Sequence, residues 1–241
     1  MLCSNPPYAE DAPFLKEHAD ALCFLPCSNS GSPFTDPAAI QKCIPSDWNT
    51  IVSDYLALQV ATMSSENDLN GWTLTPTHTA DFGTDYDFRA VVAQIGFAFN
   101  KAEDGMYPSG QRDSNNATLL STQEYTITFA ADSLPPVHSE VGGFWSLTYY
   151  TDDFYLADTE KFAVRSADGW VLGDDGSLTI YVQPTAPTDE SLKANWLPSV
   201  SEESETFTIT LRLYAPADAA LSREWVPPPI VPVAVVNQYG L

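Results

Sequence analysis

The sequence predicts an α+β protein, with a helical N-terminal third followed by an antiparallel β-sandwich or jelly-roll-like body. Three observations predict it. Apolar residues recur at helical spacing in the first part of the chain. From residue 123 the repeat switches to period two. Proline, glycine and aspartate turn signals then separate one alternating run from the next, the pattern of a sandwich or jelly roll. With 241 residues and 44% apolar content, the chain is long enough to bury a sizeable core. The expected division is a helical linking segment over 1–70 and a β-rich domain over 71–241, with a helix near 85–97.

Asp11 can cap a first helix whose apolar stripe is Phe14, Leu15, Leu22 and Leu25. Asp36-Pro37 places a cap before proline at the first helical position and opens a short helix with Ile40 and Ile44. Between them, Cys27 to Thr35 is a Ser/Gly/Pro loop. Ser46 caps a longer helix with Trp48, Ile51, Val52, Tyr55 and Leu58 on one face. Gly71 to His78 is a candidate strand. Phe88, Val91, Val92 and Ile95 then repeat at helical spacing from Asp85 to Phe97, where Asp85 and Arg89 stand in the favourable order for a helix ion pair. Asn100 to Thr118 is polar and turn-rich, the composition of a long loop.

The strands follow. Tyr125, Ile127 and Phe129 alternate with Glu124, Thr126 and Thr128. Further runs cover Gly143 to Tyr150, Lys161 to Arg165, Ser177 to Gln183 and Glu205 to Tyr214. In the last, Phe207, Ile209, Leu211 and Leu213 face one way and Thr208, Thr210, Arg212 and Tyr214 the other. Leu134-Pro135-Pro136, Gly173-Asp174-Asp175-Gly176 and Asn195 to Pro198 are the turn signals between them. The proline-interrupted tail, Trp225 to Val236, suits an edge strand or a cover over the sheet.

Charge excludes whole classes of partner. Ten basic residues stand against 32 acidic ones, a net charge of −22. A chain this acidic has no phosphate-neutralising patch for nucleic acid and is repelled by anionic membranes. No run of apolar residues is long enough for a spanning helix, so membrane insertion is not expected. Only 17% of residues are charged, so the surface is largely Ser, Thr, Asn and Gln dotted with carboxylates. Met1 to Pro7 has neither the basic nor the apolar region of a signal peptide, which leaves localisation open between an intracellular protein and a chain that begins inside a longer precursor.

Cys3, Cys23, Cys27 and Cys43 allow two disulfides or four free thiols, and their spacing is not that of a zinc ribbon. None of His18, His78 and His138 has a metal partner at the right spacing or sits in a nucleophile motif. Nucleotide-binding glycine loops and the nucleophile elbow are absent. No metal and no cofactor is expected. Asp152-Asp153 and Asp174-Asp175 read first as solvated turns, and only second as a calcium loop or glycosidase pair.

Several segments together resemble one family. They include Asn5-Pro6-Pro7, Asn70-Gly71-Trp72, Asp85-Tyr86-Asp87-Phe88-Arg89-Ala90, Tyr107-Pro108 and Leu134-Pro135-Pro136-Val137. The most specific are Phe144-Trp145-Ser146-Leu147-Thr148-Tyr149-Tyr150, Asn195-Trp196-Leu197-Pro198, Leu211-Arg212-Leu213-Tyr214 and Trp225-Val226-Pro227-Pro228. In order and content they are similar to domain of unknown function 1214, over nearly the whole chain. The resemblance implies a β-rich body with helical linking segments and no established chemistry. It also implies a partner, domain of unknown function 1254, upstream in the same chain; many such proteins are exported. Lys161-Phe162 stands where the family would be expected to carry Asn-Arg-Tyr.

The candidate ligand-binding residues are Arg89, Trp145, Tyr149, Trp196, Arg212 and Tyr214. Arg212 lies mid-strand beside Tyr214. Among so many acids it is first a candidate for a structural ion pair, and second an anchor for a ligand carboxylate. Trp145 and Tyr149 share one strand face and are core by default, or else line a sheet that stacks flat ligands. Trp196 plugs the sandwich or rims a pocket. Catalytic residues cannot be assigned from the sequence. The reading these features favour is a binding or structural module for a small organic or carbohydrate ligand. One alternative is a hydrolase-like enzyme using a carboxylate beside an arginine, marked by a raised pKa. Another is half of a two-domain protein, which needs its upstream partner domain or a second subunit and is marked by an exposed apolar patch.

Overall fold

The structure, a computed structural model, describes residues 9–13, 16, 47–96, 98–159, 161–200 and 205–234. The apolar stripe of the first expected helix (Phe14, Leu15, Leu22 and Leu25), the helix expected with Ile40 and Ile44, the Ser46 cap, the loop at 27–35, His18 and all four cysteines lie outside these residues. The chain forms two compact units, one from 1–62 with 81–98 and the other from 63–80 with 99–241.

Helix α1 (Trp48–Glu66), of which residues 48–62 belong to the first unit, begins where the long helix was expected and runs 19 residues. Its apolar stripe is not buried, with Ile51, Tyr55 and Leu58 exposed at 48%, 40% and 63%. Helix α2 (Tyr86–Ile95) ends two residues before the expected limit. Asp85 caps it, its carboxylate accepting from the Phe88 N–H at 3.0 Å. Arg89 lies over the Tyr86 ring, 5.1 Å from its centre. Phe88, Val91 and Val92 are the buried residues of α2, as their spacing requires. Tyr86 donates to Asp11 at 2.8 Å.

The second unit is β-rich, and its strands are mostly antiparallel. They are β1 (Asp68–Leu69), β2 (Trp72–Thr73), β3 (Gly105–Met106), β4 (Ser109–Gly110), β5 (Tyr125–Phe129), β6 (Phe144–Thr151), β7 (Ala163–Arg165), β8 (Leu178–Gln183), β9 (Trp196–Pro198), β10 (Phe207–Tyr214) and β11 (Ile230–Pro232). One sheet has the order β1-β2-β4-β10-β6-β7, with β3 also on β10; the other has the order β11-β5-β8-β9. The short helix α3 (Asp218–Leu221) follows β10.

The long runs fold as their alternation predicts. Tyr125, Ile127 and Phe129 are buried to 1% or less. Leu178, Ile180 and Val182 of β8 are fully buried, as are Leu147 and Tyr149 of β6 and Ile209, Leu211 and Leu213 of β10. All join one apolar cluster drawn from both sheets. Ring contacts cross from sheet to sheet, Phe129 to Trp145 at 6.3 Å and Tyr125 to Phe207 at 5.8 Å. Each such side chain contributes roughly 1.5–3 kcal/mol by leaving water, so this cluster dominates the stability of the unit.

Three expectations are corrected. The strand expected over Gly71 to His78 shrinks to Trp72–Thr73. It is one arm of a two-residue hairpin whose turn, Asn70-Gly71, has positive φ at both residues (58° and 83°). The stretch from Asn100 to Thr118 is not all loop, because β3 and β4 pair with β10 and a bridge joins Arg112 to Thr118. Asn195 to Pro198 is not a turn: Trp196–Pro198 is β9, parallel to β8. The tail does form the edge strand β11, against β5.

Candidate functional site

The long pair β6–β10 decides where the candidate residues point. Leu213 lies opposite Trp145 and Ile209 opposite Tyr149, so both aromatics share the core face. Trp145 is 3% exposed and Tyr149 fully buried, and Tyr149 stacks on Phe207 at 4.7 Å. Neither presents a ring to a ligand. Trp196 pairs with Tyr181, on the four-stranded sheet, and its indole N–H donates to the Gln183 carbonyl at 2.8 Å. Arg89 belongs to the first unit. Of the six candidates, the structure brings together Arg212 and Tyr214, on the outward face of the seven-stranded sheet.

That face carries residues the sequence reading did not single out. Phase places Phe144, Ser146, Thr148 and Tyr150 of β6 opposite Tyr214, Arg212, Thr210 and Thr208 of β10. Arg212 donates from Nη2 to the Tyr150 hydroxyl at 2.5 Å, with its guanidinium 5.3 Å from that ring's centre. No carboxylate forms an ion pair with Arg212 among the described residues, so the structural ion pair expected of it is not formed there. Tyr214 stacks on the exposed Phe144 at 4.7 Å and meets the edge of Tyr107 at 6.1 Å. Tyr107 accepts from the Asn100 amide at 2.5 Å. Burial pushes the Tyr107 phenol above its ordinary range, and the nearby Arg212 charge pulls the other way. Ser146, Thr148 and Thr208, all less than 10% exposed, give this face a floor of hydroxyls.

The face continues onto β7, where Arg165 lies opposite Ser146 and Ala163 opposite Thr148. A pocket of about 360 Å³ opens there, lined by Lys161, Phe162, Ala163, Arg165 and Asp168. Arg165 lies over the Phe162 ring, 5.6 Å from its centre. Lys161 donates to the carbonyls of Lys193 and Ala194 at 2.9 and 2.8 Å, and burial lowers its pKa. The signal for these residues was present in the sequence: Lys161 and Arg165 are two of only ten bases in a chain of net charge −22.

The carboxylates with a resolved shift move down. Asp175 and Asp189 are lowered by the Ser177 and Ser191 donors they accept from, and Glu140 by its own N–H and by His138. A general acid needs the opposite direction. Among the described residues no group of three or more His, Cys, Asp or Glu side chains is placed to hold a metal. No described helix is long and apolar enough to cross a membrane.

A β-rich unit with an arginine and aromatic outward face is the setting in which the family match falls. Residues 104–218, from just before β3 to the start of α3, match the family model described as "Protein of unknown function (DUF1214)". The VPA0106 protein from Vibrio parahaemolyticus has a similar fold, with a TM-score of 0.62 at 20% identity over 97% of this chain and 53% of its own. An uncharacterized protein from Burkholderia cenocepacia aligns with a TM-score of 0.36 at 13% identity, over the whole of this chain and 53% of its own. The chain thus spans about half the length of each. No curated protein matches it.

Proposed function

We propose that the β-rich unit is a sandwich-type binding module for a small organic acid, including acidic sugars, held on the outward face of β6 and β10. The observation that carries this reading is Arg212. Among the described residues its guanidinium meets the phenol and ring of Tyr150 and forms no ion pair, in a chain with 32 acids. A guanidinium left without a carboxylate over a hydroxyl floor is the donor set that recognises a carboxylate with geometric specificity. The stacked Phe144 and Tyr214 offer a flat apolar wall beside it, suited to a ring.

The test is a thermal melt and calorimetric titration with benzoate and glucuronate, against benzyl alcohol and glucose as neutral counterparts. The acids raise the melting temperature, because binding to the native state stabilises it, and the neutral compounds do not. Arg212→Gln abolishes the rise. Acids that bind Arg212→Gln as well as the native chain refute the proposal.

A second reading, compatible with the first, is that the unit docks against an upstream domain of a longer chain. Phe154, Tyr155 and Leu156 favour it, because they form a consecutive apolar tip exposed at 65%, 74% and 47% after β6. Co-expression with the upstream domain tests it. Complex formation lost in Phe154→Ser/Tyr155→Ser supports the reading, and complex formation unchanged in that variant rejects it.

A further inference from the structure

We infer that the Arg212 site extends across β6 to Arg165, so that its ligand is a small diacid held at both ends. The inference rests on the proposal that Arg212 anchors an organic acid, and it names which acid. The ladder supplies the geometry. Arg212 lies opposite Ser146 on one side of β6 and Arg165 opposite the same Ser146 on the other. Residues in register on neighbouring strands share a face, so two arginines flank one small side chain, their Cα atoms about 10 Å apart, or two strand spacings. Arg212 runs from this position along the strand to Tyr150, so a ligand that reaches both guanidinium groups crosses β6 past Ser146 and Thr148.

The Arg165 end is built to receive an anion. Among the described residues, its pocket is lined by two cations, Arg165 and Lys161, and one acid, Asp168. Asp168 is committed to the turn after β7, with Oδ2 accepting the Arg165 N–H at 2.9 Å. Its other oxygen stands 3.8 Å from the Arg165 guanidinium, too far for a hydrogen bond. Lys161 spends two of its three donors on neutral carbonyls, which orient the ammonium, while the Asp168 charge favours its protonated form and that of Arg165 opposes it. Burial makes the Lys161 charge costly, and an incoming carboxylate relieves the cost. An acid held only at Arg212 leaves this second cationic end empty; a diacid fills both.

Calorimetric titration with phenylacetate and p-phenylenediacetate tests this, since the two share a ring and differ by one acid arm. The native chain is expected to bind the diacid about tenfold or more tightly than the monoacid, the worth of one further charge-assisted contact. Arg165→Gln reduces the diacid to the affinity of the monoacid and leaves the monoacid unchanged. Asp168→Asn moves the other way and tightens the diacid, an outcome that a folding defect cannot imitate. Equal binding of the two acids by the native chain, or a diacid preference that survives in Arg165→Gln, overturns the inference and leaves the Arg212 proposal standing. If neither acid binds, both fall.

Discussion

Arg212 and Tyr150 meet twice on the outward face of the seven-stranded sheet. The guanidinium donates to the phenol oxygen at 2.5 Å and lies 5.3 Å from the centre of the same ring. The two residues are not opposite one another: Arg212 faces Ser146 and Tyr150 faces Thr208. The arginine therefore reaches along the strand, over the small residues between them, and is held there by a group that leaves its charge intact.

Tyr150→Phe removes the hydroxyl and keeps the ring. The expected cost is about 1 kcal/mol, the net worth of one hydrogen bond to a charged group that water can partly replace. Tyr150→Ala removes the ring contact as well and costs more. Urea denaturation of the three proteins checks the order, and a phenylalanine variant as unstable as the alanine variant contradicts it.

Asn195 is 1% exposed and ties a loop to the four-stranded sheet. Its oxygen accepts from the Val171 N–H at 2.8 Å, and its amide donates to the carbonyls of Val171 and Thr179 at 2.8 and 2.9 Å. Asn195→Ala leaves one N–H and two carbonyls unpaired in the interior. The expected loss is about 3 kcal/mol, within the range for buried groups stripped of partners. A loss under 1 kcal/mol in a chemical melt shows that water takes the place of the amide.

Gly71 sits at φ +83°, and a Cβ there falls 2.4 Å from the Arg112 carbonyl oxygen. Gly71→Ala therefore meets both a left-handed backbone and a clash with a fixed main-chain atom. The loss is expected to exceed about 2 kcal/mol, against about 1 for the conformational strain alone. Gly83, also at positive φ with open space around it, is the control. Its alanine variant shows the strain without the clash, so equal losses at the two sites discount the Arg112 contact.

Asp175 caps the turn before β8, accepting from the Ser177 N–H at 3.0 Å. The Ser177 hydroxyl and N–H together hold its carboxyl below the ordinary value of 3.8. A lowered folded pKa means that the unfolded chain takes up the proton first as pH falls. The stabilisation is thus present above 3.8 and is lost as pH drops through the folded value. Native chain and Asp175→Asn, melted from pH 7 to pH 2, should converge only below that point. Tyr125 acts at the other extreme: burial raises its phenol above 10.0, so its contribution is complete below that pH and is lost as the alkaline range is entered. Melts above pH 10 read this directly, and a stability that holds flat there contradicts it.

The fold was legible where one residue in two faces the core. In β5, β6, β8 and β10 alternation states both the strand and its buried face, and the structure follows it. It was illegible where a strand exists only through its partner. β9 is three residues long, ends in proline, and is defined by a parallel neighbour thirteen or more residues away. β3 and β4 are two residues each and draw their pairing from β10, about a hundred positions later. The site divided in the same way. Arg212 and Tyr214 were visible as polar positions of an apolar strand. Tyr150 and Ser146 were hidden by the more conspicuous Trp145 and Tyr149, whose phase turns them inward. Arg165 was conspicuous as one of ten bases, but only the β6–β7 register makes it a neighbour of Arg212.

The four-stranded sheet is bounded by β9 and β11, and both of these borders end in proline, at Pro198 and Pro232. A border strand is where a foreign chain can add itself by continuing the ladder, the first step toward aggregation. Proline lacks the N–H that such an addition needs. Each border is also only three residues long, too short to template a stable extension. These two short border strands thus guard the sheet against lateral growth. Replacing Pro198 and Pro232 by valine should leave the fold in place and shorten the lag before fibrils or precipitate form.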